Sequence, residues 1–237
     1  MKNLVIAIIF LFISTAHAQT CEHMAYGGEL PQTQKSHKIL CKTEFAIGYS
    51  TELKTPLFVV QRLEAEKLTA PTVVQNAPFR LDPTLSKTEQ PSLYDFVNSG
   101  YDRGHMAPFE DTNHDRNAAF ESMMLTNIVP QHSGNNRGIW RVLEDLVRNM
   151  TLEGTIFVIT GPVFDQPRKP IGENAIPVPS KLYKIVINAK TKTVTTYLIP
   201  NESVSSSLLP TMVSNLVTVS NLTGINFLPI LDLVETK

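Results

Sequence analysis

The segment from Asn136 to Met150 constrains the fold most. Trp140, Leu143, Val147 and Met150 recur there at helical spacing, and Ile139, Val142 and Leu146 widen the stripe. This periodicity predicts a helix over 136–150 that must bury one face against another layer. Strand-like segments surround it: Thr43 to Tyr49, Leu57 to Gln61, Thr155 to Thr160, and the pair Leu182 to Ile187 and Thr193 to Ile199, whose polar linker Asn188 to Lys192 predicts a hairpin. Shorter helices are expected over Asn117 to Met124 and over Leu209 to Leu222, the latter with Pro210 in its first turn. Strands mixed irregularly with helices predict an α+β fold. Thr69 to Pro91, rich in Pro, Thr and Asn, is expected to run as loop, and its length points to a functional or wrapping role.

The 237-residue chain opens with Lys2, an apolar run from Leu4 to Ile13 and Ala16-His17-Ala18. That order is the pattern of a secretory leader over residues 1–18, and the run is too short to cross a bilayer. Gln19 and Thr20 precede Cys21, which weighs against a lipid anchor. The expectation is a secreted or periplasmic protein with a single domain over 19–237, of a size that buries a sizeable core. In an oxidising compartment Cys21 and Cys41 are expected to pair as a disulfide, the alternative being two free thiols. Without the leader the chain carries 20 Lys+Arg against 22 Asp+Glu. Tight sequence-independent duplex binding rests on many basic side chains, so any nucleic acid has to be met by a local positive patch.

The chemistry concentrates in Tyr101-Asp102-Arg103-Gly104-His105 and, further on, Asn127-Ile128-Val129-Pro130-Gln131 and Asn136-Arg137-Gly138-Ile139-Trp140-Arg141-Val142-Leu143-Glu144. A neutral imidazole at His105 can take a proton from water near neutral pH, which places an acid limb close to its ordinary pKa near 6.5. Arg103 offers a fixed fork of donors to phosphate oxygens, and Gly104 permits close approach. On an unbroken helix Asn136 faces the same way as Trp140, while Glu144 lies about 12 Å along the axis and about 80° around. The economical arrangement has Asn136 ligating a magnesium ion directly and Glu144 holding water of the hydrated ion, since magnesium keeps most of its waters. Each residue has a plainer reading too. Asn135 or Asn136 could cap the helix, His105 could be structural, Asp102 could be a turn residue, and Asn127 and Gln131 could satisfy backbone around Pro130. Arg137 and Arg141 fall on the outer side, as solvated charges or phosphate contacts. His114 and His132 lack the H-E-x-x-H or cysteine-pair context of a zinc site. Neither a Walker-type phosphate loop nor a G-x-S-x-G serine elbow is present.

Taken together, Asp102 to His105, Asn127 to Gln131 and Asn136 to Glu144 resemble the DNA/RNA non-specific endonucleases of the ββα-metal superfamily. Thr160-Gly161-Pro162-Val163-Phe164 and Thr223-Gly224-Ile225-Asn226-Phe227 are similar to that family's later segments, so the resemblance runs from about Thr43 to Leu231. It implies a central antiparallel sheet flanked by helices and a strand–loop–helix unit presenting the site. It further implies His105 as general base, Arg103 steadying the phosphorane, Asn136 as ligand of Mg2+ (with Mn2+ as a substitute), Glu144 supporting the hydrated ion, and Asn127 and Gln131 as further site amides. Some members carry another active-site arginine before an Asp-Pro pair. Here Arg80 precedes Asp82-Pro83 out of clear register, and it stands as a substrate contact to be located. The expected activity is hydrolysis of DNA and RNA through phosphate contacts, leaving 5′-phosphates. The expected partners are those two polymers, no membrane after leader removal, and a homodimer as a further state. Rival readings are an exported nucleic-acid-binding or effector module without turnover, and a phosphodiesterase for a smaller or lipid-linked substrate.

Overall fold

The computed structural model describes residues 21–227 and the backbone of 234–235; the expected leader over 1–18 lies outside the described residues. One large sheet organises the chain. Its strands run in the order β10 (Val213–Ser214), β9 (Thr193–Pro200), β8 (Lys181–Asn188), β7 (Ile156–Val163), β4 (Thr55–Leu63), β3 (Phe45–Ser50) and β2 (Lys38–Cys41), every neighbour antiparallel, with β12 (Val234–Glu235) alongside β9 in parallel. The short strands β1 (Gln32–Thr33) and β11 (Ile225–Asn226) pair separately. A second two-stranded ladder, β5 (Asp102–His105) with β6 (Ile128–Gln131), sets Arg103 opposite Pro130 and His105 opposite Ile128. Four α-helices accompany the sheets among the described residues: α1 (Ala65–Leu68), α2 (Arg116–Ser122), α3 (Arg141–Met150) and α4 (Leu216–Thr223).

Alternation along the strands explains why the sheet is covered on both faces. In β8, Leu182 and Val186 join the cluster that holds Trp140, Leu143 and Val147 of the helical stripe. Tyr183, Ile185 and Ile187 point the other way, onto Leu216 and Val219 of α4. Each such aliphatic side chain contributes on the order of 1.5–3 kcal/mol when fully buried. The β8–β9 hairpin forms as expected, from Asn188 opposite Thr193. The Asn188 side chain accepts from the amides of Lys190 and Thr191, an Asx-type turn that closes the linker. Cys21 and Cys41 are disulfide-bonded, with Cα atoms 5.6 Å apart, and tie the amino-terminal arm to β2.

Two helices differ from their periodicity. The stripe expected as one helix over 136–150 is a π-type segment over Asn135–Trp140 followed by α3, with Gly138 leaving helical geometry at φ −108° and ψ −112°. The angular relation between Asn136 and Glu144 derived for a straight helix therefore does not hold. The helix expected over Leu209 to Leu222 splits into a 3-10 segment, Ser206–Met212, then β10 and α4. The break is local chemistry: Asn215 caps α4 by accepting from the Thr218 amide, while Val213 and Ser214 pair with β9.

The stretch from Thr69 to Pro91 is loop, stitched down by side chains. Asp82 is fully buried and receives the Lys42 ammonium at 2.7 Å and the Thr126 hydroxyl at 3.0 Å. Burial pushes the Asp82 carboxyl up, but Lys42 and Thr84 outweigh it and hold the group below its usual range. Gln90 closes the loop on itself, accepting from the Asp82 amide and donating to the carbonyls of Asp82 and Leu85.

Candidate active site

The β5–β6 ladder and the kinked helix meet over an open cleft in two adjoining compartments. One, of about 490 Å3, is lined by His105, Glu110, Asn136, Arg141, Glu144 and Arg148 among others. The second, of about 390 Å3, is lined by Phe79, Tyr101, Asp102, Arg103, His105 and Asn136 with Arg137. His105, Asn136 and Arg137 belong to both. The residues expected to act together thus converge, although a bend at Gly138 rather than a straight helix brings them there.

Gly104 is required by packing. A Cβ built on it would lie 2.0 Å from Gln131 Oε1 and 2.5 Å from Gln131 Cβ. Gln131 is buried and donates to Asn135 Oδ1 at 2.7 Å, so it has little room to retreat. On the flanking position, the His105 ring is half-buried, with Nε2 3.3 Å from the Met123 sulfur. A thioether only accepts. In the tautomer that carries its proton on Nε2, the ring donates to the sulfur and keeps its lone pair on Nδ1. Burial lowers the His105 pKa to about 4, well under the ordinary 6.5. The acid limb of the rate is accordingly expected below 6.5, because burial disfavours the charged ring.

Asp102 is not a turn residue. It lies on β5 and accepts a two-pronged pair from Arg137, Nε to Oδ2 and Nη2 to Oδ1, both 2.8 Å, as well as Asn136 Nδ2 at 3.0 Å. Partial burial raises its pKa, yet Arg137 and Asn136 lower it further, so the carboxylate stays ionised. Arg137 is 74% exposed, and solvent screening leaves such a pair little weight in stability. Its effect is geometric: with the Asn136 amide nitrogen held by Asp102, the carboxamide oxygen is left for the cleft. Capping is excluded for both asparagines. The helix start at Gly134 has no side-chain cap, and Asn135 spends its amide on Gln131 and the Pro200 carbonyl.

Of the other expected site residues, Asn127, Gln131 and Arg80 fall outside the cleft. Asn127 is fully buried and clamps the turn after β5, donating to the carbonyls of Ala107 and Ser122 and accepting from the Ala107 amide. Together with Gln131 it supports the ladder rather than touching solvent. Arg80 lines neither compartment; its guanidinium stacks 4.3 Å over Phe120. Arg141 remains exposed at the rim.

Sequence reasoning missed the surroundings of Glu144. Arg148, one turn on, also lines the cleft and binds Asp111 at 2.8 Å and Asp145 at 2.6 Å. Its i, i+4 spacing from Glu144 was the available signal. Lys184, 2% exposed, donates to Thr160 Oγ1 at 2.8 Å and lies 5.0 Å above the Trp140 ring. Burial holds the Glu144 carboxyl well above the usual range, and it lowers Lys184. A divalent cation beside Glu144 would reverse that push. Among the described residues no three His, Cys, Asp or Glu side chains form a cation cage. A free carboxamide oxygen with one nearby carboxyl suits a hard ion that keeps most of its water, and does not suit zinc.

A family model described as DNA/RNA non-specific endonuclease matches residues 28–232, starting earlier than the motifs alone indicated. The chain belongs to this family. Human mitochondrial nuclease EXOG is 30% identical over 211 residues, covering 81% of this chain and 57% of that protein. The mitochondrial nuclease of Saccharomyces cerevisiae is 28% identical, over 72% of this chain and 59% of its own length. The chain thus spans less than two thirds of these relatives. A solved EndoG/EndoGI complex contains a chain that superposes with a TM-score of 0.75 at 25% identity, over 80% of this chain and 85% of that one. The endonuclease fold expected from the resemblance, a β-ladder and helix mounted on an antiparallel sheet, is the fold observed.

Proposed function

We propose that this member of the endonuclease family hydrolyses phosphodiester bonds in DNA and RNA with little sequence preference, using His105 as general base. The observation carrying this reading is the convergence of His105, Asn136 and Glu144 on one cleft that is rimmed by Arg137, Arg141 and Arg148. Among the described residues Arg103 and Arg141 form no ion pair and are the guanidinia open to a phosphate, whereas Arg137 is paired with Asp102 and Arg148 with Asp111 and Asp145.

Neutral His105 takes a proton from water through Nδ1 as the water oxygen attacks phosphorus in line. The bond from phosphorus to the 3′-oxygen breaks, the 3′-oxygen takes up a proton from solvent water, and the 5′-phosphate remains on the other fragment. Arg103 binds the non-bridging oxygens, whose charge grows as the phosphorane forms. Asp102 fixes the Asn136 amide, and Asn136 Oδ1 with Glu144 would hold Mg2+ and its waters. The ion's contribution is to stabilise charge on phosphate and leaving oxygen. Export belongs to the same proposal, supported by the amino-terminal leader pattern and the Cys21–Cys41 disulfide, although relatives bear mitochondrial names. Self-association into a dimer is a further part, read by sedimentation.

Digestion of plasmid DNA and of RNA, with magnesium and then with excess chelator, tests the activity. Cleavage that stops on chelation and leaves ends that ligase can join without kinase treatment supports it. Cutting that is indifferent to chelator, or 5′-hydroxyl ends, contradicts it.

A further inference from the structure

Arg103 is held by two aromatic rings. Its guanidinium carbon lies 5.1 Å from the centre of Phe79 and 5.5 Å from that of Phe96, and one terminal nitrogen donates to the Leu93 carbonyl at 3.1 Å. Its Nε is buried without a hydrogen-bond partner. The polar contacts alone therefore leave the fork free to rotate about its single backbone anchor, and contact with the two rings restricts that freedom. Phe96 belongs to a buried cluster and serves the core as well. Phe79 is different: it is half-buried, lines the cleft, and its ring also lies 5.4 Å from the His105 ring at an interplanar angle of 33°. The Met123 sulfur meets the same imidazole at Nε2.

We propose that Phe79 is a positioning residue for the reaction, one side chain that sets the orientation of both the base and the phosphate-binding arginine. This rests on the hydrolytic reading above. Phe79 comes from the loop 69–91, outside the β5–β6–helix unit, and it is delivered to the cleft by the buried anchor at Asp82 three residues later. The loop also bridges directly to the far side of the site, since the Arg80 amide donates to Met123 O and the Leu125 amide to Arg80 O. The length of the loop gains a reason: it carries an aromatic wall to the two groups that must be aligned. In this chain the position beside Arg80 thus acts through a ring, while Arg80 itself faces Phe120.

The test compares Phe79→Leu with Phe79→Tyr in the full chain, on plasmid DNA with magnesium. Leucine keeps apolar bulk but loses the flat face, and tyrosine keeps the face. The expected result for Phe79→Leu is a kcat loss on the order of 10- to 100-fold, as for a small misplacement of reacting groups, with KM changed little. Phe79→Tyr restores most of kcat, and both variants melt close to the parent. A leucine variant with parental kcat overturns the proposal. So does a leucine effect confined to KM, which would make Phe79 a substrate contact, or a tyrosine variant as impaired as leucine. A kcat loss in Phe79→Leu that follows its melting temperature down, and is absent below the transition, also overturns it. Failure of the hydrolytic reading is distinct, because then the parent chain does not cut at all.

Discussion

The neutral state of His105 is set by its neighbours: a ring of Phe79 on one face, a thioether at Nε2 and no carboxylate within bonding distance. With the pKa lowered to about 4, the fraction of competent base changes little between pH 7 and pH 5. Cleavage rates corrected for substrate binding are therefore expected to be level across that range and to fall near pH 4; a half-point near 6.5 would show the ring to be solvated. Stability follows the same group with a definite sign. The unfolded chain protonates this histidine below about 6.5 and the native chain does not, so native stability is complete above that value and declines as pH falls toward 4. Urea titrations of the parent and of His105→Gln, at pH 7 and pH 5, should show the larger acid loss in the parent. Gly104→Ala tests the packing beside this residue. A methyl placed against Gln131 has to spread β5 from β6, and the expected outcome is a destabilisation of about 1–3 kcal/mol with a larger loss in kcat than in KM.

At the scale of elements, much was legible from residues. The alternation in Leu182–Ile187 and Thr193–Ile199 and the turn chemistry of Asn188 specify a hairpin locally, and the hairpin is there. The stripe of Trp140, Leu143 and Val147 gave the buried face of the helix correctly, because hydrophobic period reports burial. It could not report the bend at Gly138, since a π-type turn keeps the apolar residues inward while changing where Asn136 points. Asn127 and Gln131 look like site amides in sequence and are buried struts in the structure, a distinction that only tertiary packing makes. Phe79 carried no signal at all, because nothing in a Pro- and Thr-rich loop announces which side chain returns to the cleft. The loop's anchor yields a stability prediction: Asp82→Ala strands the buried Lys42 ammonium and should cost about 3–5 kcal/mol in chemical denaturation. Leu143→Ala, on the sheet-facing side of α3, is expected to cost about 2–5 kcal/mol.

For the whole molecule, the large sheet is a rigid platform covered on both faces, and the reactive unit sits at one side of it as an addition of two short strands and a kinked helix. Such a division lets the core tolerate change while the ladder keeps His105 and Arg103 in register. The disulfide serves the platform, tying a covalent loop across 20 residues of separation, and its reduction is expected to lower stability by about 3 kcal/mol without direct effect on the cleft. The net negative charge, under the proposed function, suits a protein that engages nucleic acid briefly rather than one that stores it. The most direct test of that division between enzyme and binder is His105→Ala, with DNA binding and DNA cleavage measured side by side in magnesium. Binding within a few-fold of the parent is expected, with cleavage reduced by about two to four orders of magnitude, the range removed with a general base. A His105→Ala protein that binds and still cuts at the parental rate would contradict the reading of His105 as that base.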